Sequence, residues 1–138
     1  MKMAIELQLL SVVDDDESVR ESLPDLLREF GYAAQAFSSA QEFLSSDYVD
    51  ETKSLILDVA MPGMNGLDLQ QELKRRGKEI PIVFITGHKD EDIRREAFTQ
   101  GAVKFLYKPF SDSDLLDAVK ASIEHRDSTD QEPNRDAQ

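Results

Sequence analysis

Asp58 closes the apolar run Leu55-Ile56-Leu57 and opens the loop Val59-Ala60-Met61-Pro62-Gly63-Met64-Asn65-Gly66. A short apolar run stopped by Pro and Gly reads as a buried strand entering a loop, which puts this acid at the strand's carboxyl end. Asp14 and Asp15 follow another apolar run, Thr86 ends Ile82-Val83-Phe84-Ile85, and Lys108 follows Val103 to Tyr107. In open α/β sheets the carboxyl edge is where ligands and chemistry collect. Acids, a hydroxyl and an amine on one rim suit a metal ion and a phosphoryl group. Several carboxylates there repel one another unless a cation lies between them. Mg²⁺ is the expected ion, because it is hard, prefers oxygen and is held by one or two carboxylates plus phosphate and water.

Each residue has a role in that chemistry and a plainer alternative. Asp58 is the expected nucleophile, since a carboxylate can attack phosphorus and form an acyl phosphate; alone, it would only cap the loop. Lys108 would offset charge on the transferring group; alone, it would be a surface cation. The Ala60 backbone carbonyl is a candidate metal ligand that does not depend on its side chain. Thr86 is either an ordinary strand threonine or a hydroxyl that donates to a phosphoryl oxygen. Phe105 is expected in the core or half-buried, with room for a second rotamer. Asp16 and Glu17 read as acids of a first helical turn. Lys108-Pro109 reads as a tight turn that aims the amine inward, and its peptide bond is a candidate for cis. His88 and His125 are given no catalytic role.

These residues need a frame to hold them. Strands are expected at Leu7 to Val13, Tyr32 to Phe37, Leu55 to Leu57, Pro81 to Ile85 and Val103 to Tyr107. Between them, apolar residues recur at helical spacing. Val19, Leu23, Leu26, Leu27 and Phe30 mark a first helix, stopped by Gly31. Ala40, Phe43 and Leu44 form the inner face of a second, within Ser39 to Leu44. Leu67, Leu69 and Leu73 give a third helix, ending near Gly77. Ile93, Ala97 and Phe98 give a fourth, with Gly101 as its C-terminal stop. Leu115, Leu116, Val119 and Ile123 give a fifth, opened by Ser and Asp residues suited to capping. Pro24 lies inside the first helix, where it removes the bond to the Arg20 carbonyl and is expected to kink it. Five β-α units imply a parallel sheet covered on both faces. Right-handed crossovers bring the strand ends to one rim.

The totals agree. The chain has 138 residues, 40% hydrophobic and 32% charged, which suits one domain with its own core. A net charge of −12 argues against this segment gripping nucleic acid. There is no cysteine, so neither a disulfide nor a thiolate metal site is available. No apolar run is long enough to span a membrane, Met1 to Glu6 is too short and mixed for a signal peptide, and a cytoplasmic location is expected. From His125 onward the chain is polar, so residues 126–138 are expected to be a linker or disordered tail after a domain at 1–125.

Four segments together resemble the receiver domain of bacterial two-component response regulators. They are Val12-Val13-Asp14-Asp15-Asp16-Glu17, the stretch from Leu57 through Asp58 to Gly66, Ile85-Thr86-Gly87, and Lys108-Pro109-Phe110. The likeness covers about residues 7 to 124. It implies a flavodoxin-like three-layer, doubly wound sandwich with sheet order 2-1-3-4-5 and five helices. It implies that Asp58 accepts a phosphoryl group from the phosphohistidine of a sensor histidine kinase. Asp14 and Asp15 would hold Mg²⁺ with Asp58 and the Ala60 carbonyl, and Lys108 would contact the phosphoryl group. Thr86 would move toward that group while Phe105 swings inward. The output surface would be residues 90–124, which is also the expected homodimer face. The wording is most similar to receivers of transcriptional regulators with a helix-turn-helix output. The chain ends about where a receiver ends, as expected for a stand-alone regulator or an excised domain. Ala60 stands where a larger or polar side chain is common, which bears on dephosphorylation. Pro24 falls in the helix that kinases dock against, which bears on partner choice.

Rival readings predict other things. A haloacid-dehalogenase-type phosphatase also uses a strand-end Asp with Mg²⁺, but it needs an acid two residues later, where this chain has Ala60. A vestigial module of the same fold would not be labelled. A flavin site would need a phosphate cradle that these acidic loops do not offer.

Overall fold

The computed structural model describes residues 6–131, with side-chain surroundings through residue 125. Its elements alternate: β1 (Leu9–Val13), α1 (Glu17–Glu29), β2 (Ala33–Phe37), α2 (Ala40–Leu44), β3 (Thr52–Asp58), α3 (Gly66–Arg75), β4 (Ile82–Thr86), α4 (Glu91–Thr99), β5 (Lys104–Tyr107) and α5 (Asp112–Gln131). The strands form one parallel sheet in the order β2-β1-β3-β4-β5. The expected order and helix number are therefore found.

Strand side chains alternate between two cores, one on each face of the sheet. Leu10, Val12, Ile56, Val83 and Ile85 pack with Leu23 and Leu27 of α1 and Leu115 and Val119 of α5. Val13, Leu55, Leu57 and Phe84 pack with Phe43 of α2, Leu69 and Leu73 of α3 and Ala97 of α4. A slip of one residue would exchange these sets, so double-sided burial fixes the register.

The helix ends follow their local chemistry. Asp16 caps α1 through Ser18 N, Asp90 caps α4 through Asp92 N and Ile93 N, and Asn65 and Asp68 form a reciprocal capping box on α3. Gly77 and Gly101 follow α3 and α4 at φ 73° and 109°. There the chain folds back, with Lys78 N donating to Leu73 O and Ala102 N to Ala97 O, both at 2.9 Å.

Several expectations needed correction. β3 starts at Thr52 rather than Leu55. Thr52 and Ser54 in its polar first half are buried, where Thr52 Oγ1 lies 2.7 Å from Ser11 Oγ and Ser54 Oγ lies 2.6 Å from Ser122 Oγ, while Lys53 is exposed. β1 starts at Leu9 and leaves Leu7 exposed. Pro24 lies inside α1, as expected, and is buried. Phe98 lies on α4, as expected, and is 37% exposed. α5 extends through Gln131, so residues 126–131 are helical rather than a tail. The rest of that tail lies outside the described residues.

Candidate functional site

Register builds the rim one residue at a time. Val13 pairs with Leu57, so Asp14 and Asp58 follow side by side at the centre of the sheet. Asp58 pairs with Ile85, which puts Thr86 one step beyond it, and Thr86 pairs with Tyr107, which puts Lys108 one step further. Four residues far apart in sequence thus reach one edge.

The side chains converge as the sequence predicted for the acids and the amine. One carboxylate oxygen each from Asp14, Asp15 and Asp58 lies within 4.8 Å of the others. Lys108 Nζ donates to Asp14 Oδ2 at 3.0 Å and lies 3.8 Å from Asp58 Oδ1. Asp14 and Asp58 are buried, whereas Asp15 is exposed at the mouth. The Lys108–Pro109 peptide bond is cis.

Asp14 is held at each of its polar atoms. Its N–H donates to Phe37 O, its carbonyl accepts from Arg20 Nη1 at 3.0 Å, Oδ1 accepts from Asp16 N at 2.9 Å, and Oδ2 accepts from Lys108. Arg20 was not singled out in the sequence. Its place one turn past the Asp16 cap, close to the acids, was the available signal. Gly66 was also missed as a site residue. A Cβ there would collide with the Asp58 carbonyl and lie 3.0 Å from the Phe84 ring. The loop is pinned at Val59, which donates to Ile85 O at 3.1 Å and accepts from Gly66 N at 2.9 Å. Ala60, next along the loop, is exposed.

The electrostatics are strained at one residue. Burial first, then the neighbouring Asp14 charge, push the Asp58 pKa up to about 7, although Lys108 opposes this. Burial alone would lower Lys108, but the Asp14 hydrogen bond and the charges of Asp14 and Asp58 outweigh it and raise its pKa. Asp16 is lowered by its hydrogen bonds from Ser18, as a capping acid should be.

The proposed switch residues lie on the other face of the rim. Thr86 is buried, and its hydroxyl accepts from His88 N at 3.2 Å within its own loop. Lys108 N donates to Thr86 O at 2.7 Å and ties the loops after β4 and β5 together. Phe105 is half-buried, with its ring centre 5.9 Å from Phe84 and 5.5 Å from Tyr107. Lys89 lies over the Tyr107 ring at 5.6 Å. His88 is an exposed loop residue, and His125 lies on α5 beside a cavity lined by the start of β4.

Residues 10–120 match the family model of the response regulator receiver domain. The chain belongs to that family. It is 51% identical over 116 residues to Nodulation protein W of Bradyrhizobium diazoefficiens, covering 84% of this chain and 51% of that protein. It is 42% identical over 121 residues to the response regulator protein TodT of Pseudomonas putida, covering 88% and 53% respectively. The chain thus spans about half the length of these curated relatives. Among solved structures, the response regulator StyR superposes with a TM-score of 0.84 at 39% identity, covering 96% of this chain and 67% of that one. FixJ-N superposes at 0.78 and 35% identity, covering 88% and 97%. The fold is flavodoxin-like, and the chain is a receiver domain of two-component signalling, a family of signalling modules rather than enzymes. Membership implies a histidine kinase as phosphodonor. Receiver domains generally bind Mg²⁺ at an acidic pocket, and the Asp14, Asp15 and Asp58 cluster is such a pocket. Among the described residues no helix is long and apolar enough to cross a membrane.

Proposed function

We propose that Asp58 is the phosphoacceptor, that Asp14, Asp15, Asp58 and the Ala60 carbonyl hold Mg²⁺, and that Lys108 binds the transferred group. The observation that carries this reading is the meeting of three carboxylates within 4.8 Å, with Lys108 beside them. The donor set fits the ion, since the site is all oxygen and burial, together with the neighbouring Asp14 charge, raises Asp58. When bound, Mg²⁺ offsets negative charge on the acids and the phosphoryl oxygens.

In the transfer, an Asp58 carboxylate oxygen bonds to phosphorus as the bond from phosphorus to the donor histidine nitrogen breaks. The leaving imidazole takes up a proton from solvent. Asp58 must be ionised to attack. Asp14 is held too firmly to swing away, so it keeps its carboxylate facing the acceptor. Lys108 stands between Asp14 and Asp58, positioned to exchange its contact with Asp14 for a phosphoryl oxygen.

The product carries about one extra negative charge and strong acceptor oxygens. Thr86 now spends its hydroxyl on His88. Turning that hydroxyl to the phosphoryl group would release the loop after β4 and open space for Phe105 to turn inward. The modification favours this arrangement because only there are the new acceptors satisfied. Residues 90–124, from α4 through β5 to α5, are the surface that would change, pairing two copies or engaging an output segment. We place the protein in the cytoplasm, assign DNA contact to other segments, and read it as the receiver of a transcriptional regulator.

The test is incubation with acetyl phosphate, with and without Mg²⁺, read by intact mass. Wild type should gain one phosphoryl group only with Mg²⁺, and Asp58→Asn should gain none. Undiminished labelling of Asp58→Asn would reject Asp58 as acceptor. Failure of wild type to label would favour a vestigial site.

A further inference from the structure

A cavity of about 380 Å³ opens at the end of the sheet opposite the acids. It lies where α3 and α4 end and β4 and β5 begin. Its apolar surface comes from Leu73, Ile80, Pro81, Ile82 and Val103. The volume and mixed lining fall in the range of small-molecule sites.

Two lysines, Lys74 and Lys78, line its mouth beside Glu79. The run Lys74-Arg75-Arg76-Gly77-Lys78 holds four of the chain's 16 Lys and Arg residues. Cations at a helix C-terminus are favoured by the dipole, and that alone accounts for the run. It does not account for how the charges are spent. Arg75 and Arg76 both turn to Glu72, and Lys78 turns to Asp50. Lys74 instead donates to the neutral Gln100 Oε1 at 3.1 Å, and among the described residues it pairs with no carboxylate. His125 and Glu79 complete the polar rim.

The wall has a second unusual feature. Gln70 lines the cavity and is only 4% exposed. Its Nε2 donates to Ala97 O at 3.0 Å, which fixes the amide's orientation, while its Oε1 is buried without a partner. A buried acceptor left unpaired is costly and calls for a donor.

We propose that this cavity binds a small apolar carboxylic acid. The hydrocarbon body would rest on Leu73, Ile80 and Val103, and the carboxylate would sit at the mouth beside Lys74. A hydroxyl on the body would supply the donor that Gln70 Oε1 lacks, after a small shift of that side chain. The ligand would also brace α3 against α4, because Gln70 and Gln100 already join those helices. The site is independent of phosphorylation at Asp58.

The test is titration of the ¹⁵N-labelled full chain with 3-hydroxybenzoate, followed by amide shifts. Saturable shifts are expected at Leu73, Gly101 and Val103, with 3-hydroxybenzyl alcohol and 3-hydroxybenzylamine binding more weakly. Lys74→Gln is an exposed change that leaves the core intact. It should weaken the acid about twofold to fivefold and leave the alcohol unchanged. Asp58→Asn should bind the acid like wild type. Absence of saturable shifts at the cavity amides would overturn the proposal, as would an acid that binds no tighter than its neutral or cationic analogue.

Discussion

Ser54 and Asp58 are two buried polar residues of the same strand, both turned toward the face that carries Ile56. They are treated in opposite ways. Ser54 is fully buried and meets Ser122 at 2.6 Å, while Ser122 in turn donates to Val119 O at 2.8 Å. Its polar group is neutral and satisfied, and it fastens α5 to the sheet. Asp58 is 5% exposed and shares its space with Asp14 and Asp15. Lys108 lies 3.8 Å away but makes its closer contact with Asp14. The structural end of β3 completes its hydrogen bonds within the chain. The functional end retains unbalanced negative charge that a cation can relieve.

That contrast can be sharpened by titration. Asp58 has a folded pKa of about 7, above its unfolded value. Between roughly pH 4 and 7 the folded state keeps a proton that the unfolded chain has lost, so stability falls as pH rises. Each unit in that window is worth about 1.4 kcal/mol at most, so a loss on the order of a few kcal/mol is expected without Mg²⁺. Urea unfolding at a series of pH values checks this. Asp58→Asn should flatten the profile and be the more stable protein at pH 8, and Mg²⁺ should protect wild type but not the variant.

A smaller effect is expected at Gly66, which touches the functional end from below. Gly66→Ala would press its methyl group against the Asp58 carbonyl and the Phe84 ring. Overpacking of this kind costs about 1–3 kcal/mol, and labelling should slow as the Asp58 loop shifts. Thermal unfolding and the rate of acetyl phosphate labelling report the two consequences.

The smallest effect belongs to the structural end. Ser54→Ala removes one neutral hydrogen bond, at a cost of about 1 kcal/mol. Its stability loss should not vary between pH 5 and 8, and its labelling rate should match wild type. A pH-dependent loss would show that the two ends of β3 are electrostatically linked after all.

The same contrast explains what the sequence could disclose. Asp14, Asp58 and Lys108 were legible because each is a charge attached to an apolar run, and parallel pairing leaves few places for such a residue to go. The five β-α units were legible from periodicity. The first half of β3 was not, because Thr52, Lys53 and Ser54 look like a loop until Ser11 and Ser122 appear opposite two of them. The end of α5 was hidden for a related reason, since a polar segment continuing a helix carries no apolar period. Phe98 has the spacing of a core residue, yet it lies at the edge of α4, where Arg94 covers its ring at 5.0 Å. Thr86 was legible as a strand end, but its hydrogen bond to His88 depends on a loop conformation that spacing does not encode.

The most direct test is to locate the phosphoryl group. Acetyl phosphate and Mg²⁺ are used to label the full chain, borohydride reduces the acyl phosphate to homoserine, and peptide mass spectrometry reads the position. Homoserine at position 58 alone is the expected result. Homoserine at Asp14, Asp15 or any other acid, with residue 58 unchanged, would contradict it.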